Sequence, residues 1–543
     1  MRACINDCVR WLIGHGIAGL GLLAEILQRI QLGSFFRRQE QLRARYQVVP
    51  DMPVLPFGPV LERLLRDSTS QTNQKSHRPG GRRHAVTSGS TSSPKIIPVS
   101  RKRLRAMKLT YSRFFASCCR VWSVRRKSLY IFAPLCGDDS LTSLLLEETR
   151  LPSYLVTLQA PYRVQCDSTV QFLATTYGAT ALRVWLLAIA NPGVLYATNP
   201  STLSTFLDDL NSDWQRSTRL VKDFCSQSLT VDVERIVRRL DSRGSQRRLR
   251  QIAESRQPIP LQVWAPGVEA CMCWTGGYVQ PFIDRLRHYL PAERYRLLPM
   301  YSMSTETIET VGHVHRGTMA FLPLAGGVLY EFIEEGAEDR PENLQGAGQL
   351  KTGRCYAMVI SDAFGLRRYQ TGDLFLCAGD VQGLPDLRFL RRRDLEYSFT
   401  GEKITAEQVL AVFKRLRQEN PWMRADDFLT CVPSQPAGEP VPHYKIVLIG
   451  PSDKIAEPCA EPLASRCDTF LAELNCEYES KRKGGRLGPV RFVCKSAAGF
   501  FEEVGREATA NSGLDGQFKL MPLYRRTWEA QRTTSEASGT SGL

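Results

Sequence analysis

The chain has 543 residues, 43% of them hydrophobic and 23% charged, with a formal net charge of +16. That length exceeds what one core usually serves, and the apolar share excludes wholesale disorder, so two packed domains are expected. The positive excess suits polyanions. However, no helix-turn-helix, zinc-finger or Lys/Arg-Gly-Phe signature accompanies it, so no specific nucleic-acid partner is expected.

In chain order, Trp11 to Ile30 is apolar but carries His15, Glu25, Gln28 and Arg29. This predicts an amphipathic helix on the body of a large domain, with residues 1–67 as its helical opening. Peripheral membrane attachment by residues 11–30 is the other reading, and an integral span is not expected. Between Ser68 and Lys127 there is no acidic residue, so a solvated basic face is expected there. Ala179 to Ala190, Ser204 to Trp214 and Tyr278 to Leu290 have helical spacing, and Ala270 to Trp274 reads as a strand. From Val328 onward, short apolar runs (328–333, 356–360, 374–377 and 387–390) are strand signals. Arg391-Arg392-Arg393-Asp394 is the expected hinge, closing a large domain over 68–394. Behind it, helices at 406–418 and 468–474 and strands at 443–449 and 490–494 make a smaller α+β domain over 395–530. A small polar tail, 531–543, is expected to be disordered. The mixture is α/β (α+β).

The 16 cysteines include no Cys-x-x-Cys pair, which points to reduced, mostly buried thiols in a cytoplasmic protein. His313 and His315 would share one strand face, but with no third ligand nearby a structural role is expected.

Five segments carry candidate chemistry. Thr87-Ser88-Gly89-Ser90-Thr91-Ser92-Ser93-Pro94-Lys95 combines small hydroxylated residues, a glycine and a lysine. Such a loop lets amides and hydroxyls converge on phosphate oxygens, although a plain Ser/Thr linker has the same composition. Ser304-Thr305-Glu306 sets hydroxyls beside a carboxylate, suited to a phosphate and its magnesium or to a helix N-cap. Tyr369-Gln370-Thr371-Gly372-Asp373, expected between two strands, presents a carboxylate at a tight turn. It could hold both hydroxyls of a ribose or simply close a hairpin. Phe399-Thr400-Gly401-Glu402-Lys403 leads into a helix, and Lys519 stands alone among apolar residues.

The order and spacing of these parts resemble the adenylate-forming superfamily. Within it, the chain resembles the Gretchen Hagen family, the auxin-responsive acyl acid–amido synthetases. The resemblance rests on the Thr87–Pro98 loop, Tyr369–Asp373, Arg392-Arg393-Asp394 with the Phe399–Lys403 segment, Asn475–Arg482 and Gly516–Lys519. It implies a large N-terminal adenylate-forming domain with a β-barrel and β-sheets flanked by helices, plus a smaller mobile α+β C-terminal domain. It also implies ATP and Mg2+ as cofactors, and a small carboxylic acid and an amine or amino acid as partners. By the same resemblance, Ser88, Gly89, Ser90, Thr91, Ser92 and Lys95 cradle phosphates. Ser304, Thr305 and Glu306 address the α-phosphate and the metal, with Glu306 as metal ligand. Tyr369 and Asp373 hold the nucleoside. Lys403, Lys519 and Glu306 carry the catalytic charge. The chain departs from the pattern at Ser92, Ser302, Thr307 and Gln370. A catalytically degenerate binding protein and an acyl-CoA synthetase-like ligase are the alternatives.

Overall fold

Apolar periodicity alternates between 3.6 and 2 along the chain, and the architecture follows it. A computed structural model describes residues 2–56, 83–86, 96–125, 128–132, 141, 144–145, 168–276, 279–300, 304, 306–315, 317–393, 396–400, 402–423, 427–435, 439, 441–450, 460–496, 500 and 521–524. These divide into two compact units, with the boundary between Phe389 and Leu390.

The first unit opens with α1 (Arg2–Gly33) and α2 (Phe35–Arg45). One side of α1 packs on α3 (Arg101–Val121), burying Ala24, Gln28 and Leu32, while Leu12, Leu20, Leu23, Ile26 and Ile30 are exposed. Gly21 permits the approach, because a Cβ there would sit 2.6 Å from the Ala116 carbonyl oxygen. Among the described residues, no helix is long and apolar enough to cross a membrane.

Strands β1 (Arg83–Val86) and β2 (Ile96–Val99) pair antiparallel, Val86 opposite Ile96. Ser100 then caps α3 by accepting from Arg103 N. The basic segment is therefore not wholly a solvated face. From residue 101 it is a helix that buries Leu104, Met107, Phe114 and Cys118, and even Arg103 is only 3% exposed. Apolar residues at helical spacing among the arginines outweigh the charge, because each buried side chain contributes roughly 1.5–3 kcal/mol.

A parallel sheet follows, ordered β3 (Leu129–Ile131), β4 (Val194–Tyr196), β5 (Ala270–Trp274) and β6 (Arg296–Met300). Every residue of β5 is buried, as suits a strand covered on both faces. The helix Ala179–Ala190 has the predicted bounds. The Ser204–Trp214 helix runs instead from Pro200 to Ser212, set by an Asn199 cap and a first-turn proline.

Next come the hairpin β7 (Val311–His315) and β8 (Thr318–Leu322), and a five-stranded antiparallel sheet. The sheet is ordered β10 (Leu344–Gln345), β9 (Val328–Glu334), β11 (Cys355–Asp362), β12 (Tyr369–Val381) and β13 (Leu384–Arg392).

In the second unit, β14 (Glu396–Tyr397) and β15 (Ile404–Thr405) pair ahead of α4 (Ala406–Glu419). Thr405 and Gln408 close a reciprocal capping box on that helix. Strands β16 (Phe428–Ser434), β17 (His443–Ile449) and β18 (Arg491–Lys495) form its sheet. Helices α5 (Ala460–Leu474) and α6 (Cys476–Lys483) connect β17 to β18. The helix expected from Asp468 begins eight residues earlier, because Leu463 and Cys467 extend its buried stripe.

Candidate active site

In the first unit two predicted residues meet. The Tyr369 hydroxyl donates to Glu306 Oε1 at 3.2 Å, and both side chains are buried. Glu306 lies on a loop rather than at a helix start, with Thr307 N donating to Ser304 Oγ at 3.3 Å. Tyr369 opens β12, where the 51–56 segment clamps it: Leu55 N donates to Arg368 O and Gln370 N donates to Leu55 O.

The Tyr369–Asp373 motif is not a turn between two strands. It belongs to the single strand β12, interrupted by a bulge: Gln370 pairs with Val359 and Leu374 with Ala357. Gly372, at φ +79°, supplies the left-handed residue that this irregularity needs, and the strand continues because apolar residues resume at Leu374. Asp373 is buried beside the bulge, its N–H donating to Thr371 Oγ1 at 3.2 Å, while Thr371 Oγ1 donates to Met358 O.

Two buried ion pairs hold this corner, and neither was legible in the sequence. Arg368, at φ +40°, donates to both oxygens of Glu331 at 3.1 and 3.2 Å and to the carbonyls of Pro50 and Met52. Arg43 adds a second cation to Glu331 at 3.0 Å. Arg103 of α3 donates to Asp362 at 2.8 Å, and the other Asp362 oxygen accepts from Phe364 N and Leu366 N. Through that pair the helix entered from β2 is tied to the end of β11, one turn before Tyr369. The partners lie 37 and 259 residues apart, so local patterning carries no signal for them. Gln370, standing where the family resemblance expects arginine, donates to Asp339 at the surface.

In the second unit the Glu402-Lys403 turn is built around a buried carboxylate. Glu402 accepts from the N–H groups of Phe399 and Thr400 at 2.7 and 2.8 Å and from the Tyr444 hydroxyl. Burial by itself would raise its pKa, but these donors outweigh it and hold the carboxyl below its ordinary range. Asn475 caps α6 through its oxygen, and its amide donates to Glu402 O at 2.8 Å and Lys403 O at 3.4 Å. Arg482 clasps Asp468 at 2.8 Å. The Asn475–Arg482 stretch thus shapes the turn on which the exposed Lys403 stands, at φ +45°. A non-glycine residue at that φ costs about 1–3 kcal/mol and persists only where its surroundings over-determine it.

Ser88, Gly89, Ser90, Thr91, Ser92, Lys95, Thr305 and Lys519 lie outside the described residues. Their described neighbours are β1 and β2 on either side of the loop, Ser304 and Glu306, and residues 521–524. Those last residues run alongside β16, with Cys431 N donating to Pro522 O at 2.7 Å. His313 and His315 stand on β7, and no group of three metal-ligating side chains occurs among the described residues.

The fold defines the class. The "AtGH3.15 acyl acid amido synthetase in complex with 2,4-DB" has the same fold, with a TM-score of 0.66 at 16% identity, covering 94% of this chain and 93% of that one. Residues 82–294, 321–392 and 407–527 match the GH3 family N-terminal, central and C-terminal domains respectively. The chain belongs to the GH3 family. It is 27% identical over 263 residues to the jasmonoyl–L-amino acid synthetase GH3.5 of Oryza sativa subsp. japonica, covering 45% of this chain and 43% of that protein. To the jasmonoyl–L-amino acid synthetase JAR4 of Nicotiana attenuata it is 30% identical over 148 residues, 24% of each. The chain thus spans less than half the length of these sequence relatives.

Proposed function

We propose that the protein is an ATP-dependent ligase that adenylates a carboxylic acid and transfers the acyl group to an amino acid or other amine. The observation that carries this reading is the Tyr369–Glu306 hydrogen bond, two motif residues 63 positions apart meeting in a buried corner of a GH3 chain. Relatives named as jasmonoyl–amino acid synthetases support the acid–amine pairing.

In the first half-reaction a carboxylate oxygen attacks the α-phosphorus, the bond to the β-phosphate breaks, and pyrophosphate leaves. In the second, the amine nitrogen attacks the acyl carbon, AMP leaves with the carboxyl oxygen, and the nitrogen loses its proton. Glu306 is a hard oxygen donor suited to Mg2+, and Tyr369 keeps its carboxylate oriented. Asp373, on its bulge, is assigned to the ribose hydroxyls. Ser88 to Ser92 and Lys95, with Ser304 and Thr305, are assigned to the phosphates. Lys403 and Lys519, on a mobile domain over 395–530, supply positive charge where negative charge develops on the transferring group. A cytoplasmic setting agrees with the free thiols of the described residues.

The test is carboxylate-dependent exchange of labelled pyrophosphate into ATP across a panel of aryl and alkyl acids. Exchange with at least one acid, abolished by Glu306→Ala and Asp373→Ala, is expected. Absence of exchange with every acid would favour the degenerate reading, and exchange surviving both substitutions would sink the site assignment.

A further inference from the structure

A cavity of the first unit, about 470 Å³, opens between α1, α3 and β7, and neither Glu306 nor Tyr369 lines it. Small-molecule sites run from about 300 to 1,000 Å³, so it is large enough for one. Its wall is organised by Gln28, which is buried. The Gln28 amide nitrogen donates to Gly312 O at 3.1 Å, which turns its carbonyl oxygen toward His313 Nδ1, also 3.1 Å away. The imidazole must therefore donate from Nδ1, leaving Nε2 as the atom that accepts a proton.

Ser117 of α3 also lines the cavity; it is only 3% exposed, and its hydroxyl has no hydrogen-bond partner among the described residues. Buried hydroxyls are normally satisfied, so a donor of this kind on a cavity wall marks a place for a ligand acceptor. The charges around the cavity agree. Arg120 is neutralised by Glu25, which its Nε reaches at 2.7 Å. Arg29 of α1 gives the remaining wall a fixed positive charge, beside the β7 imidazoles of His313 and His315.

We infer that this cavity is a second ligand site, separate from the adenylation corner, which takes a small organic oxyanion, either a carboxylate or a phosphate monoester. Arg29 supplies the counter-charge, Ser117 donates to the anion, and His313 gains a proton as the anion binds. Burial lowers the His313 pKa, with His315 and Arg29 adding to the effect. A bound anion opposes those charges, so binding takes up a proton and must weaken as pH rises through the imidazole range.

The test is calorimetric titration of the full-length chain with benzoate, phenyl phosphate and inorganic phosphate, at about pH 6 and about pH 8. Saturable one-to-one binding by at least one organic anion, tighter at the lower pH, is expected, and the benzoate and phenyl phosphate arms separate carboxylate from phosphate. Arg29→Glu, at an exposed position, should weaken it at least about tenfold, and Ser117→Ala several-fold. Glu306→Ala should leave it unchanged. The inference is overturned if none of the three probes binds, if both cavity variants bind like the parent, or if Glu306→Ala abolishes binding. The last result would assign the anion to the adenylation corner. Pyrophosphate exchange fails or succeeds independently of all three.

Discussion

Glu306 and Tyr369 show how much a single contact can carry. Tyr369→Phe removes the hydroxyl and leaves a buried carboxylate with one donor fewer, which should cost about 1–3 kcal/mol in denaturant unfolding. Glu306→Gln keeps the volume but removes the charge, so pyrophosphate exchange should fall by about 100-fold or more while the unfolding midpoint moves little. The Arg103–Asp362 pair is buried on both sides. Arg103→Met therefore strands a carboxylate, with an expected loss of about 3–5 kcal/mol by the same measurement. Glu402 makes a pH prediction with a definite sign. Its folded pKa lies below its ordinary 4.5, so its contribution is full above that pH and disappears as pH falls through the lowered value. Thermal melts from neutral pH down to about pH 3 should show this acid-side loss, and Glu402→Gln should flatten it.

At the scale of elements, glycines decide where backbones touch. A methyl at Gly312 would fall 2.0 Å from the Phe114 ring, and one at Gly21 would meet backbone at 2.6 Å. The Gly312 contact is with a side chain, whereas the Ala116 carbonyl is helix backbone and cannot change rotamer. Gly21→Ala should therefore push α1 off α3 and lower stability by about 1–3 kcal/mol, read as a drop in melting temperature. Gly372→Ala forces an L residue into the left-handed bulge of β12 and should reduce both stability and exchange activity, because the bulge sets the direction of Asp373. Lys403 occupies the same region of backbone space without being glycine, held by Glu402 and Asn475. Asn475→Ala should release that turn, lowering exchange activity more than it lowers the melting temperature.

Among the described residues the cysteines divide by burial. Cys118, Cys119, Cys271, Cys273, Cys377, Cys431 and Cys467 are buried, Cys355 is intermediate, and Cys4, Cys8, Cys225, Cys476 and Cys494 are exposed. Burial pushes the Cys271 thiol up to about 12, so almost no thiolate exists there at neutral pH. Mass-resolved labelling with an aromatic disulfide should modify the exposed set in the native protein and the buried set only after unfolding. The helix Ala179–Ala190 and the strands Ala270–Trp274 and His443–Ile449 were legible from the sequence, because each is a largely apolar run whose length and flanking residues separate helix from strand. The α3 helix was obscured by its arginines, since charge along a segment describes its solvent face and not the stripe it buries. Order along the chain was enough to identify the family, as the relevant motifs are short and sequential. Only the tertiary structure could join Arg103 to Asp362, Arg368 to Glu331 and Gln28 to His313, and turn the Tyr369–Asp373 segment from a hairpin turn into a bulge within a strand. These contacts depend on chain segments that local propensity treats as independent, and packing alone brings them within hydrogen-bond reach.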